Sequence, residues 1–169
     1  MQRIDPATVG PEFAMLNQFL DYHRATLVQK ASGLDKAQLN QRTAASELTL
    51  AGLLKHAALN EDAWFGETML GEPLPAPWAD VDWDADPDWE FRTAPDDEPE
   101  ELLALYAAAC ERSRAVVERL GDLDVLSATV KRGEQFSLRW VMLHMIEEVA
   151  RHNGHADMLR EAIDGETGE

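Results

Sequence analysis

Apolar positions recur every three to four residues in four long stretches of the chain, with polar connectors between them. Residues three and four apart share one face of a helix, so each stretch predicts an amphipathic helix. Pro11 to Ser32 places Phe13, Leu16, Leu20 and Leu27 on one side and stops at Gly33. Thr49 to Leu70 carries Leu53, Leu59 and Phe65, opens on a hydroxyl able to cap it, and ends at Gly71 with Pro73 behind. Pro99 to Leu120 starts with a proline and two glutamates, which suit a helix N-terminus, and has Leu102, Leu103, Tyr106, Cys110, Val116, Val117 and Leu120 as its apolar side. Ser137 to Ile163 is the longest, closed by Gly165. The connectors show little strand character. Leu34 to Leu48 has room for a short turn, and Ala128-Thr129-Val130 is too short to carry a sheet. The pattern predicts an all-α four-helix bundle in one domain, with a long loop, Gly71 to Pro95, between the second and third helices. A connection that long leaves room for a crossover instead of a simple up-and-down order.

The fourth predicted helix carries an anomaly. His144, Glu148, His152 and His155 follow at steps of four, four and three, on the stripe that also holds Val141, Met145 and Leu159. Imidazoles and a carboxylate on a face destined for burial need partners. A metal ion is the simplest partner. Glu148 and His152 stand one turn apart, as two ligands from one helix must, and a third has to come from another helix. The second helix echoes the fourth: Thr49-Leu50-x-x-Leu53-Leu54-x-His56 parallels Ser137-Leu138-x-x-Val141-Met142-x-His144, and Asn60 then falls opposite Glu148. His56, Asn60 and Ala63 share one face by spacing, and the echo turns His56 inward and makes it the best candidate for the third ligand. Two histidines and one carboxylate leave coordination positions open, the pattern of a catalytic site. Zinc fits best, and nickel, cobalt or iron(II) suit the same donors.

Each residue also has a plain structural reading. His56 can be a hydrogen-bonded core histidine, and His144 a packed or ligand-orienting one. His155 can face solvent at the mouth, and Glu148 can be salt-bridged to Arg24 or Arg151. Rival motifs fare poorly. The Glu-x-x-His pairs of di-iron bundles, His-Glu-x-x-His, Gly-rich phosphate loops and the Gly-x-Ser-x-Gly elbow do not occur. The alternating Asp80, Asp82, Asp84, Asp86 and Asp88 do not make a calcium loop, because the turn glycine falls on Ala85 and the bidentate glutamate on Phe91. Trp78, Trp83 and Trp89 are expected to pin the loop to the bundle while these aspartates face water.

Composition narrows the function. The net charge is −17, from 32 acidic against 15 basic residues. That disfavours nucleic acid and anionic membrane, both of which need basic patches. No apolar run approaches membrane-spanning length, and the first residues have no apolar core of a signal peptide, so a cytoplasmic setting is expected. One cysteine, Cys110, excludes an internal disulfide and reads as a small core residue.

Leu53-Leu54-Lys55-His56 followed by Glu61 and Trp64, together with His144-Met-Ile-Glu-Glu148-x-x-x-His152-Asn-Gly-His155, resembles the DinB/YfiT-like superfamily. It is similar to the mycothiol-dependent maleylpyruvate isomerase branch. A DinB-like group common in actinobacteria also shares Asp88-Trp89-Glu90-Phe91. The resemblance runs from about the first helix to Gly165. It implies a four-helix bundle, a homodimer, and one divalent metal held by three side chains, with His56 at the second-helix ligand position. Many members have His-x-x-x-His then Arg-Gly-Gln on the fourth helix. Here the site reads Glu148-x-x-x-His152 then Asn153-Gly154-His155, and the isomerase branch likewise pairs Glu with His. The expected activity is transfer of a low-molecular-weight thiol, mycothiol-like or bacillithiol-like, to an electrophilic small molecule, or its use in isomerisation. His144 and His155 are the candidate catalytic groups, while Asn60, Trp64 and the Trp-rich loop are placed to wall the pocket. Metal-dependent hydrolysis, a non-enzymatic metal- or ligand-binding bundle, and a purely structural role for the histidines stay open on the residues alone.

Overall fold

The computed structural model describes residues 1–43, 46–131 and 133–167. Its long helices are α1 (Glu12–Ala31), α3 (Leu50–Glu61), α5 (Pro99–Leu120) and α6 (Leu138–Asp164), joined by two short ones, α2 (Lys36–Leu39) and α4 (Trp89–Thr93). Among the described residues no β-strand forms, and Thr43–Ser46, Leu126–Ser137 and Lys131–Glu134 are isolated bridges. Thr49 and Ser137 do cap α3 and α6, accepting from the backbone N–H of Gly52 and Trp140. Gly165 ends α6 in the left-handed conformation.

Two departures from the sequence reading shape the site. The second long helix is not α-helical throughout: after Glu61 it widens into a π-helix, Asp62–Leu70. Thr68 Oγ1 donates to Ala63 O five residues back (2.7 Å), which fits the wider turn. Trp64, four residues after Asn60, follows His56 and Asn60 on the face toward α6. The long loop also ends in structure. Asp88 to Asp97 forms α4 and then a 3₁₀ turn, Ala94–Asp96. Lys55 ties this segment down through Thr93 Oγ1 (2.9 Å) and Asp97 Oδ2 (2.5 Å), and its ammonium lies over the Trp89 ring. Trp78 is buried and donates its indole N–H to Asp62 Oδ2 (2.9 Å), so it does pin the loop.

The core falls into two apolar clusters, and the order in which each helix visits them gives its direction. α1 runs from the cluster of Leu20, Phe65, Val117 and Met142 to that of Leu27, Leu53, Leu102 and Leu159, and so does α6. α3 with its π extension, and α5, run the other way. α1 and α6 are therefore parallel neighbours. Asn153 bonds His23 O and Arg160 bonds Lys30 O at the same separation of 130 residues. α3 and α5 are the second parallel pair. Two parallel helices need a connection that travels the length of the bundle, which explains why residues 71–98 are so long. Between the clusters lies a buried ion pair: Arg24 grips Glu61 with both Nε (2.7 Å) and Nη2 (2.6 Å), at 2% and 0% exposure. Salt bridges from Arg114 to Asp21 close α5 onto α1. No helix is long and apolar enough to cross a membrane among the described residues.

Candidate metal centre

α3 and α6 run antiparallel, and their facing residues pair as a ladder. His56 meets His152, with ring centroids 5.1 Å apart. One turn on, Asn60 Nδ2–H donates to Glu148 Oε1 at 3.4 Å. A further turn on, Trp64 meets His144 at 4.6 Å between centroids. The hydroxyl-capped echo in the sequence is thus a pseudo-twofold relation about the middle rung. Its symmetry breaks at the ends, because Trp64 stands where a copy of His152 would be. Among the described residues only one end of the seam therefore gathers metal-binding groups.

At that end His56, Glu148 and His152 each offer one ligand atom, all within 4.8 Å of one another. Glu148 Oε1 sits at the focus, 3.2 Å from His152 Nε2 and 3.5 Å from His56 Nε2. The far side of each imidazole is engaged. His56 Nδ1–H donates to Glu90 Oε1 at 2.8 Å, and His152 Nδ1 lies 3.4 Å from His155 Nδ1, which can accept from it. With the Nδ1 proton of His56 held outward on Glu90, its Nε2 turns inward, and His152 turns its Nε2 toward the same carboxylate oxygen. The focus then has two nitrogens and a carboxylate oxygen, and Asn60 Nδ2 supplies N–H donors to it, 3.0 Å from His56 Nε2. Such a lone-pair-rich cluster fits a cation.

Electrostatics points the same way. Partial burial pushes the Glu148 carboxyl up, but His152 and His56 more than offset this and hold it below its usual range. Burial, then the neighbouring His56, pushes the His152 imidazole down, against the pull of Glu148. At neutral pH the pair presents a neutral imidazole and an ionised carboxylate, the forms a metal requires. Neither arginine considered as a partner for Glu148 reaches it among the described contacts, and Arg24 is committed to Glu61 and Asp21.

The remaining candidates fall into place around this point. His155 touches His152 and lines a cavity with Thr43, Leu48 and Met158. His144 stands two turns from His152, stacked on Trp140 (5.0 Å, 17°) and against Trp64. Trp64 packs with Phe136 and Trp140 beyond the middle rung. Trp78 and Trp83 each pack against Trp89, and the residues of this segment that touch His56 are Glu90 and Phe91 of α4. Glu90 is the residue the sequence reading passed over. It is 4% exposed, and Oε2, its other oxygen, is buried without a partner among the described residues. Next to it Phe91 stacks on His56 (4.8 Å) and fills the notch left by Gly52, where a Cβ would come within 2.8 Å of its ring. The signal available was the run Asp88-Trp89-Glu90-Phe91, shared with the resembling group but read only as loop.

Cys110 takes no part. It is buried, with Sγ 3.9 Å from Glu61 Oε1, and burial followed by the Glu61 charge pushes its thiol up.

An all-helical bundle with this seam is of DinB-like type. Over residues 15–165 the sequence matches the mycothiol-S-transferase model, and the chain belongs to that family. No curated protein matches it.

Proposed function

We propose that this protein is a divalent-metal-dependent transferase that moves mycothiol, or a closely similar low-molecular-weight thiol, onto an electrophilic small molecule. The observation that carries the reading is the convergence of His56, Glu148 and His152 on one lone-pair-rich point, in a member of a family named for mycothiol transfer. His56 Nε2, Glu148 Oε1 and His152 Nε2 would hold the ion, zinc first among the candidates. Bound there, a divalent cation lowers the pKa of a coordinated thiol and supplies thiolate at neutral pH. The chain offers no accessible thiol of its own, since Cys110 is buried, so the nucleophilic sulfur belongs to the cosubstrate. In the transfer the sulfur forms a new bond to the electrophilic carbon. The leaving group departs with its electron pair, and the thiol proton passes to solvent.

The chain's own groups orient the donors. Glu90 and His155 keep the two imidazoles in the tautomer that faces inward, and Asn60 fixes Glu148. Phe91 covers His56 and keeps water from that side. The net charge of −17 supports a small-molecule substrate over nucleic acid.

The test is metal analysis of untagged protein together with a conjugation assay. Stoichiometric zinc is expected, lost in His56→Ala, Glu148→Ala and His152→Ala. Zinc-dependent consumption of mycothiol is expected with 1-chloro-2,4-dinitrobenzene or a related electrophile. Protein that purifies and reconstitutes without metal, or metal-loaded protein that binds no thiol, removes the reading.

A further inference from the structure

We propose that the aromatic face made by Trp64, Phe136, Trp140 and His144 seats the carbohydrate portion of the thiol cosubstrate, an inference that rests on the transfer reading above. The four rings form one continuous cluster. Trp140 lies 4.5 Å from Phe136, 5.4 Å from Trp64 and 5.0 Å from His144, between centroids. Part of the cluster is packing, joining the π-helix, the connector before α6 and α6 itself. Packing does not account for Trp140, which is 43% exposed at the surface. A large ring system held rigid by three neighbours and left open on its outer side is a ready-made contact surface at low entropic cost.

Position decides what it would contact. His144 and Glu148 are one helical turn apart on the same face, a rise of about 6 Å over four residues. The cluster therefore begins one turn from the oxygen at the focus of the centre. A thiol whose sulfur sits at that focus has to lay the rest of the molecule along the seam or away from it. At the His155 end the seam meets a cavity bordered by Leu48, Met158 and Leu159, an apolar setting suited to the electrophile. The other direction leads over Trp64 and His144. Mycothiol carries its cysteinyl thiol through an amide on an amino sugar joined to inositol. The C–H face of such a ring is apolar and packs on an indole, while its hydroxyls stay in water at the rim. The two substrates would then approach the centre from opposite ends of the α3–α6 seam.

The experiment compares two thiols on zinc-loaded protein: mycothiol, and N-acetylcysteine, which has the sulfur without the sugar. In Trp140→Ala the ratio of kcat/KM for mycothiol to that for N-acetylcysteine should fall about ten-fold, chiefly through the KM for mycothiol, a loss on the scale of one aromatic contact. Trp140→Phe, which keeps a ring, should recover most of it, and zinc content should stay stoichiometric in both. An active Trp140→Ala with the wild-type ratio overturns this inference alone. A wild-type protein that binds zinc but transfers neither thiol overturns the transfer reading and this one with it.

Discussion

Glu90 reaches His56 from a one-turn helix 34 residues further along the chain, with Oε1 2.8 Å from Nδ1. A buried carboxylate placed there fixes which ring nitrogen carries the proton and raises the basicity of the other. Replacing it with glutamine keeps the shape and removes the charge. Glu90→Gln is expected to weaken zinc binding by about 10–100-fold. Competition against a chromophoric chelator measures this, and affinity equal to wild type would show that the contact does not tune His56.

Phe91 holds the same helix in place from the other side, and Gly52 is what allows it. A Cβ at position 52 would lie 2.8 Å from Phe91 Cδ1 and 3.2 Å from Thr49 Oγ1. Gly52→Ala should therefore displace the ring from His56 and cost about 1–3 kcal/mol of stability, the usual scale of overpacking. Gly52→Ala combined with Phe91→Leu should lose less than the sum of the two single changes. Urea unfolding of the four proteins reads the cycle, and strict additivity would mean that the two residues do not press on each other.

Arg24 and Glu61 tie α1 to α3 in the layer between the two apolar clusters. Arg24→Met leaves a buried carboxylate without its cation and should cost about 3–5 kcal/mol, whereas changing both residues to methionine should recover much of that loss. The same layer shields Cys110. Its thiol should react with Ellman's reagent only once the protein is unfolded in urea. Rapid reaction of the native protein would contradict both its burial and the assignment of the nucleophile to a cosubstrate.

Stability without metal should depend on pH with a definite sign. Burial pushes the His23 imidazole below the usual histidine range, and burial with His56 does the same for His152. The folded state thus resists protonation that the unfolded chain accepts. Stability is full above about pH 6.5 and falls as pH drops below it toward the folded-state values. Glu148, held below the usual carboxylate range by His152 and His56, adds a further loss at lower pH as it is protonated. The urea midpoint of metal-free protein should decline between pH 7 and 5, less steeply in a His23→Gln, His152→Gln double variant. A flat wild-type profile over that range would remove the argument.

The long helices were legible because their apolar positions repeat over many turns and because capping hydroxyls and terminal glycines mark their ends. Glu148 and His152 could be singled out because a polar stripe on an apolar face is conspicuous, and His56 because Thr49 to His56 echoes Ser137 to His144. The π-helix was not legible: Thr49 to Leu70 keeps helical spacing throughout, and the wider backbone bonding after Glu61 leaves no mark in the side-chain pattern. α4 was hidden for another reason. A single turn embedded among prolines, tryptophans and aspartates has no periodicity to detect, and Glu90 finds its partner only through tertiary contact. Directions of the helices also needed the structure, since a long connection permits a crossover without requiring one.

That crossover has a consequence for how the molecule could be cut. Because α3 and α5 point the same way, the chain leaving Gly71 must climb back to the end where α3 began, and it arrives beside His56 carrying Glu90 and Phe91. A nick between Pro73 and Trp78 would leave every long helix whole. It would nonetheless free one end of the segment that brings a carboxylate and a ring to the centre, leaving it joined to α5 and held by Lys55, by Trp78 on Asp62 and by its own packing. Wiring, as much as side-chain chemistry, keeps that imidazole facing inward.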